Sequence, residues 1–131
     1  MEQSTKHFRK RDAILSCLRS TDIHPGADWI HEQVKARIPN ISLGTVYRNL
    51  ALFKSQGLIT SVGTVNGVER FDGNTDPHVH FICTGCDSVI DLHELEVPQS
   101  LGCQAEESGG CQVTGCQLTF TGLCGNCRKI N

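Results

Sequence analysis

No segment of the 131-residue chain holds the roughly 18 consecutive apolar residues that a membrane-spanning helix needs. Met1–Arg11 is charged where a secretory leader would be apolar. These absences predict a cytoplasmic protein with no membrane partner. Basic residues are scarce in the second half: residues 73–131 carry 2 Lys/Arg against 7 Asp/Glu (net −5), whereas residues 1–72 carry 10 against 7 (net +3). An acidic half cannot lie along phosphates, so any nucleic-acid contact belongs to the first half. Cysteine is scarce the other way round, with one of eight, Cys17, in residues 1–72. In a reducing compartment, closely paired thiols are metal ligands more often than disulfides.

Enzyme motifs are missing as well. There is no Ser/His/Asp arrangement and no phosphate-binding loop. A zinc deaminase needs His-x-Glu and Pro-Cys-x-x-Cys, but His78-Val79-His80 has no Glu and Cys83 has no preceding Pro. The chain is therefore expected not to be an enzyme. Two domains of this size would have thin cores, so metal or dimerisation should support them.

The first half reads as three helices and a hairpin. His7–Leu18 places Ile14, Leu15 and Leu18 on one face, with Arg9, Lys10 and Arg11 elsewhere, either as a solvated face or as phosphate contacts. The turn His24-Pro25-Gly26-Ala27 leads into a second helix with Ala27, Ile30, Val34 and Ile38 at helical spacing, closed by Pro39-Asn40. Ser42 caps a third, Leu43–Gln56, which stops at Gly57. Val46, Leu50 and Phe53 should face the core, leaving Thr45, Arg48 and Asn49 outward as a major-groove reading face. Ser42, Thr45, Tyr47, Arg48 and Asn49 are the candidate DNA contacts. Leu58–Val62 and Val68–Phe71 flank Asn66-Gly67, a hairpin-turn dipeptide. A hairpin directly after a recognition helix is the wing of a winged helix. Residues 1–73 form this expected domain, 74–77 a hinge, and 78–131 a second domain.

Beyond the hinge, His78–Cys83 and Ser88–Leu92 read as strands, Glu94–Glu107 as a weak segment of uncertain helical character, and Val113–Leu123 as a third strand. Cys83/Cys86 and Cys124/Cys127 form two Cys-x-x-Cys knuckles, which together supply four thiolates to a closed structural zinc site. Gly85 and Gly125 are expected to let each knuckle turn tightly. His78 and His80, two apart on a strand, project from one face. Asp91 should fall opposite His78 if the hairpin folds about the first knuckle. Such N/O donors suit iron(II), manganese or zinc. The alternative of a plain zinc-ribbon interaction module leaves these ligands and the wing unexplained.

Taken together, His24-Pro25-x-Ala27, Gly44-Thr45-Val46-Tyr47-Arg48-Asn49-Leu50, Arg70-Phe71-Asp72, His78-x-His80-Phe81-x-Cys83-x-x-Cys86 with Asp91, and Gly122-x-Cys124-x-x-Cys127 resemble the ferric-uptake-regulator family over residues 11–127. Within it the chain is most similar to the peroxide-sensing branch, since Asp72 and Asp91 stand where iron-uptake members often have Glu. The resemblance implies an α+β protein, a winged helix-turn-helix domain followed by a small α/β dimerisation domain with structural zinc. It also implies a regulatory Fe(2+) or Mn(2+) site of His24, Asp72, His78, His80 and Asp91, with His24 and His78 as oxidation candidates. The implied partners are a second copy of the chain and a double-stranded DNA operator built as an inverted repeat. Sensing of iron, manganese or zinc sufficiency is the alternative within the same build. Cys116 stands where family members often place a histidine of a further metal site, and Cys103, Cys111 and Cys116 match no family role.

Overall fold

The computed structural model describes residues 2–76 and 78–130, with side chains over 8–129. Pro77, part of the expected hinge, lies outside the described residues. The chain divides into two compact units, Met1–Thr75 and Asp76–Asn131, and its composition of helices and two small sheets is α+β.

The first unit contains α1 (Glu2–Arg19), α2 (Ala27–Lys35), α3 (Leu43–Ser55), β1 (Thr60–Val65) and β2 (Val68–Asp72). Helix α1 begins earlier than the His7 expected, because apolar spacing marks only its packed end. Ala13, Ile14 and Leu18 are buried there. Ala27, Ile30 and Val34 of α2 and Val46, Leu50 and Phe53 of α3 complete the core with Ile38, Ile41, Ile59 and Phe71. Cys17 is partly buried against this core, and burial pushes its thiol pKa up.

Ser42 caps α3 as expected, its Oγ accepting from Thr45 N at 3.1 Å. The helix ends where Gly57 takes φ +75° and Leu58 N donates back to Phe53 O at 2.9 Å, an ending that needs a residue without Cβ. The hairpin closes at Asn66 (φ 50°) and Gly67 (φ 81°), the double left-handed turn that matches strand twist. Strand β1 runs from 60 to 65 rather than 58 to 62, because Leu58 is used in ending α3 and a bulge between Ser61 and Gly63 extends the pairing.

The second unit contains β3 (Val79–Cys83), β4 (Val89–Leu92), α4 (Gln99–Gly109), β5 (Thr119–Gly122) and α5 (Gly125–Ile130). Its sheet has the order β4-β3-β5, with β4 antiparallel and β5 parallel to the central β3. The expected strand over Val113–Leu123 shrinks to four residues. Its pairing with β3 begins only at His80↔Thr119, and 111–118 has no partner strand to keep it extended. The uncertain segment around 94–107 resolves into α4, which starts after Pro98 and ends at Gly110 with φ +61°. Helix α4 buries none of its residues.

Phe53 is 1% exposed at the centre of the first core. Phe53→Ala should lower the stability of this unit by about 3–5 kcal/mol. The chain's single tryptophan, Trp29, packs against the same core, so its fluorescence during urea unfolding reads the change directly.

Candidate metal centres and nucleic-acid face

The first knuckle lies between β3 and β4. Cys83, fully buried, ends β3, and the turn is closed by Asp87 N donating to Cys83 O at 2.9 Å. The left-handed residue of this turn is Asp87 (φ 62°), not Gly85. Gly85 is needed for a different reason. A Cβ there would stand 3.0 Å from Cys127 Sγ and 3.2 Å from Cys127 Cβ. Gly125 has nothing within 4 Å of the equivalent point, so the expectation of a tight glycine turn holds for neither knuckle.

The four Sγ atoms of Cys83, Cys86, Cys124 and Cys127 lie within 4.8 Å of one another, and Cys86 Sγ is 3.8 Å from Cys124 Sγ. A tetrahedron with bonds of about 2.3 Å has edges of about 3.8 Å, so the donor set fits a closed structural zinc site. Cys83 Sγ also accepts from Gly85 N and Cys124 N, each at 3.3 Å. The amide of Cys124 is the main reason the Cys83 pKa falls to about 6. Cys127 is pushed up to about 12, chiefly by the neighbouring Cys83 and Cys124 sulfurs. Four thiolates cannot crowd together without a cation to neutralise them, and zinc supplies that charge.

A second donor set sits on the same sheet. Register pairs Asp91 with His80, and Val79 with Leu92, so Asp91 is not directly opposite His78 as expected. The knuckle takes two residues more than pairing of Asp91 with His78 would need. The carboxylate still reaches both rings: Asp91 Oδ1 is 3.0 Å from His78 Nε2 and 3.4 Å from His80 Nε2. His78 Nδ1 stands 2.6 Å from Asp76 O. A carbonyl only accepts, so Nδ1 carries a proton and Nε2 is the ring atom that faces Asp91. Ligands about 2.1 Å from one ion stand about 3.0–3.4 Å apart, which matches both distances. His93, which sequence reasoning passed over, places Nε2 3.6 Å from Asp91 Oδ2 while remaining 63% exposed. Its two-residue spacing from Asp91 on β4 was the available signal.

In the first unit, His24 Nε2 stands 3.2 Å from Asp72 Oδ2. His24 holds a left-handed backbone (φ 55°), which costs about 1–2 kcal/mol for a residue with a Cβ. The strand β2 offsets that cost. Arg70 donates through Nε to His24 O and through Nη2 to Ile23 O (2.8 Å for the latter), and Phe71 N donates to Pro25 O at 3.0 Å. Asp72 Oδ1 in turn accepts from Asn74 N at 2.8 Å, which orients the carboxylate. The role of Arg70 had no sequence signal beyond its place before Phe71 and Asp72.

On α3, Tyr47 and Arg48 are exposed and Ser42 lies at the exposed cap. Thr45 and Asn49 are half-buried rather than fully outward. Asn49 Nδ2 donates to Thr45 O at 2.9 Å, and Arg48 Nη2 to Thr45 Oγ1 at 3.1 Å. Within a helix, side chains three and four apart meet in this way, which pulls Asn49 back along the helix surface.

Two outcomes follow from the thiol geometry. Gly85→Ala should weaken zinc retention against a chromophoric chelator at least tenfold, while Gly125→Ala leaves it unchanged. The folded Cys83 pKa lies below its ordinary value of 9.0, so the stability it contributes is full above about pH 9 and is lost as pH falls through 6. Acid-driven zinc release, followed with the same chelator, should therefore occur below pH 6.

A profile of the ferric uptake regulator family matches residues 2–121. A peroxide-responsive repressor of Staphylococcus epidermidis is 32% identical, over 98% of this chain and 91% of its own length. A peroxide operon regulator of Bacillus subtilis is 34% identical, over 92% and 82%. The crystal structure of the Campylobacter jejuni peroxide stress regulator superposes with a TM-score of 0.80 at 27% identity, covering 96% of this chain and 94% of that one. Sequence, fold and donor sets thus agree, and the chain belongs to the ferric uptake regulator family.

Proposed function

We propose that this chain is a metal-dependent, DNA-binding transcriptional repressor that senses hydrogen peroxide. The family's regulators are DNA-binding dimers, and the relatives quoted above are named for their response to peroxide. The single observation that carries the reading is the His78–Asp91–His80 arrangement, where two imidazole Nε2 atoms stand 3.0 and 3.4 Å from one carboxylate oxygen. That donor set holds a divalent ion on nitrogen and oxygen alone, beside a separate thiolate site that keeps zinc.

In this reading, ferrous or manganous ion is held by His24, Asp72, His78, His80 and Asp91. Ferrous iron held there would supply the reducing electron for peroxide cleavage within reach of its imidazole ligands. His24 and His78 are the residues expected to take up oxygen. Asp76 O keeps the His78 ring in the tautomer that offers Nε2. Arg70 keeps His24 in its left-handed conformation at the start of α2. Oxidation of either imidazole removes a donor and with it the metal's preference for the DNA-competent shape.

DNA contact is assigned to Ser42, Thr45, Tyr47, Arg48 and Asn49 of the α3 face. The operator is an inverted repeat read by a homodimer acting in the cytoplasm. The apolar residues that the second unit leaves exposed, Ile90, Leu95, Leu101 and Phe120, support pairing through that unit.

DNA binding by iron-loaded and manganese-loaded protein should respond differently to peroxide. The iron form is expected to lose operator affinity at least tenfold and to gain one oxygen atom on a peptide containing His24 or His78. The manganese form should keep both its affinity and its mass. Equal sensitivity of the two forms, read by fluorescence anisotropy and peptide mass mapping, would leave metal-sufficiency sensing as the function.

A further inference from the structure

The cleft between α1 and α3 carries a charge pattern that the DNA-reading residues alone do not explain. It is a cavity of about 310 Å³ lined by Lys10, Arg11, Thr45, Arg48, Asn49 and Leu52. Three cations from two helices face one space. Among the described residues, no carboxylate forms an ion pair with Lys10, Arg11 or Arg48. Elsewhere in the unit cations do find partners: Lys54 Nζ is 3.0 Å from Glu69 Oε2, and Lys35 Nζ 3.9 Å from Glu32 Oε1.

Two of the three are also held in place. The Arg11 guanidinium lies 5.9 Å from the ring centroids of both Phe8 and Phe53. Arg48 donates to Thr45 Oγ1, which is itself 2.8 Å from Ser42 Oγ. Fixed guanidinium groups lose little freedom on binding an oxyanion and present a fork that suits phosphate. Lys10 adds a mobile point charge at the rim. Like charges gathered without a counter-ion repel one another, and an anion in the cleft removes that cost.

We propose that the α1–α3 cleft clamps a backbone phosphate of duplex DNA through Lys10, Arg11 and Arg48. The occupant is a DNA phosphate because the cleft shares Thr45, Arg48 and Asn49 with the α3 reading face. Occupancy there fixes the depth and register of that helix in the groove. The inference rests on the proposed DNA-binding function and extends it to α1, whose contribution is affinity without sequence preference.

Lys10→Gln is the test, since Lys10 lies at the rim, whereas Arg11 stacks on the core residue Phe53. Operator and scrambled duplexes are titrated with manganese-loaded protein over a series of salt concentrations. Loss of one phosphate contact should lower the slope of log affinity against log salt by about 0.9, and both duplexes should weaken by the same factor. Arg11→Lys, which keeps the charge and loses the fork, should weaken both duplexes while leaving the slope in place. A parallel arm measures the thermal midpoint in inorganic phosphate against chloride at equal ionic strength. An unchanged slope in Lys10→Gln overturns the proposal. So does a phosphate-dependent midpoint that Lys10→Gln abolishes while the slope stays put, since the cleft then holds a free anion. If the wild-type chain binds no duplex at all, the DNA-binding function itself falls. If it binds and Lys10→Gln matches it, only the clamp falls.

Discussion

Three buried apolar side chains, Val79, Cys83 and Val89, are all the core that the described residues of the second unit possess, and one of them is a zinc ligand. Burying a valine contributes about 1.5–3 kcal/mol, which cannot offset the conformational entropy of more than fifty ordered residues. A structural zinc site supplies on the order of 10–16 kcal/mol. The four-thiol cluster is therefore the constraint on which the second unit depends. It joins the end of β3 to the chain after β5, and Thr84 N donating to Gly122 O at 2.8 Å makes the parallel pairing of those strands continue into the knuckle. His80 sits three residues before Cys83 on the same strand, so the regulatory ligands are held in place by zinc they do not touch.

The first unit has a full core and needs no such staple, yet it too ties its metal donors to its structural elements. Strand β2 uses three successive residues for three tasks. Arg70 fixes the backbone of His24, Phe71 fills the core, and Asp72 faces the His24 ring. His24 begins the segment entering α2, and Asp72 ends the wing. A force on this pair acts at once on the approach to the helix-turn-helix and on the wing hairpin, the two parts that meet DNA in a winged helix. Coupling between metal and DNA then requires no long path, because both ends of it lie within a few residues of the donors.

How legible all this was depends on whether a feature is local. The capping of α3 by Ser42, its end at Gly57, the Asn66-Gly67 turn and the two Cys-x-x-Cys knuckles are set by residues within four positions of one another, and each was readable. The partner of Asp91 was not, because two further residues in the knuckle shift the β4 register from His78 to His80 while keeping Asp91 on the same face. Strand β5 was misjudged for a related reason: alternation over Val113–Leu123 is only a local pattern, whereas strand extent is decided by where β3 offers hydrogen bonds. The tight turn of the first knuckle was credited to Gly85, whereas the left-handed residue there is Asp87. The structure instead uses Gly85 to let Cys127 approach. Arg70 and His93 were missed because each acts on a residue rather than being a ligand type in an expected motif.

The two metal centres differ in chemistry as well as in task. Thiolates retain zinc strongly and leave no coordination position open, whereas imidazole and carboxylate donors favour exchangeable divalent ions such as iron(II) or manganese. Strand alternation sends His80 and Cys83 to opposite faces of β3, three residues and about 10 Å apart. Cys83, whose thiol pKa is lowered chiefly by the Cys124 amide, is fully buried. A single strand thus carries one donor type on each face, which keeps the nitrogen and oxygen donors apart from the thiols.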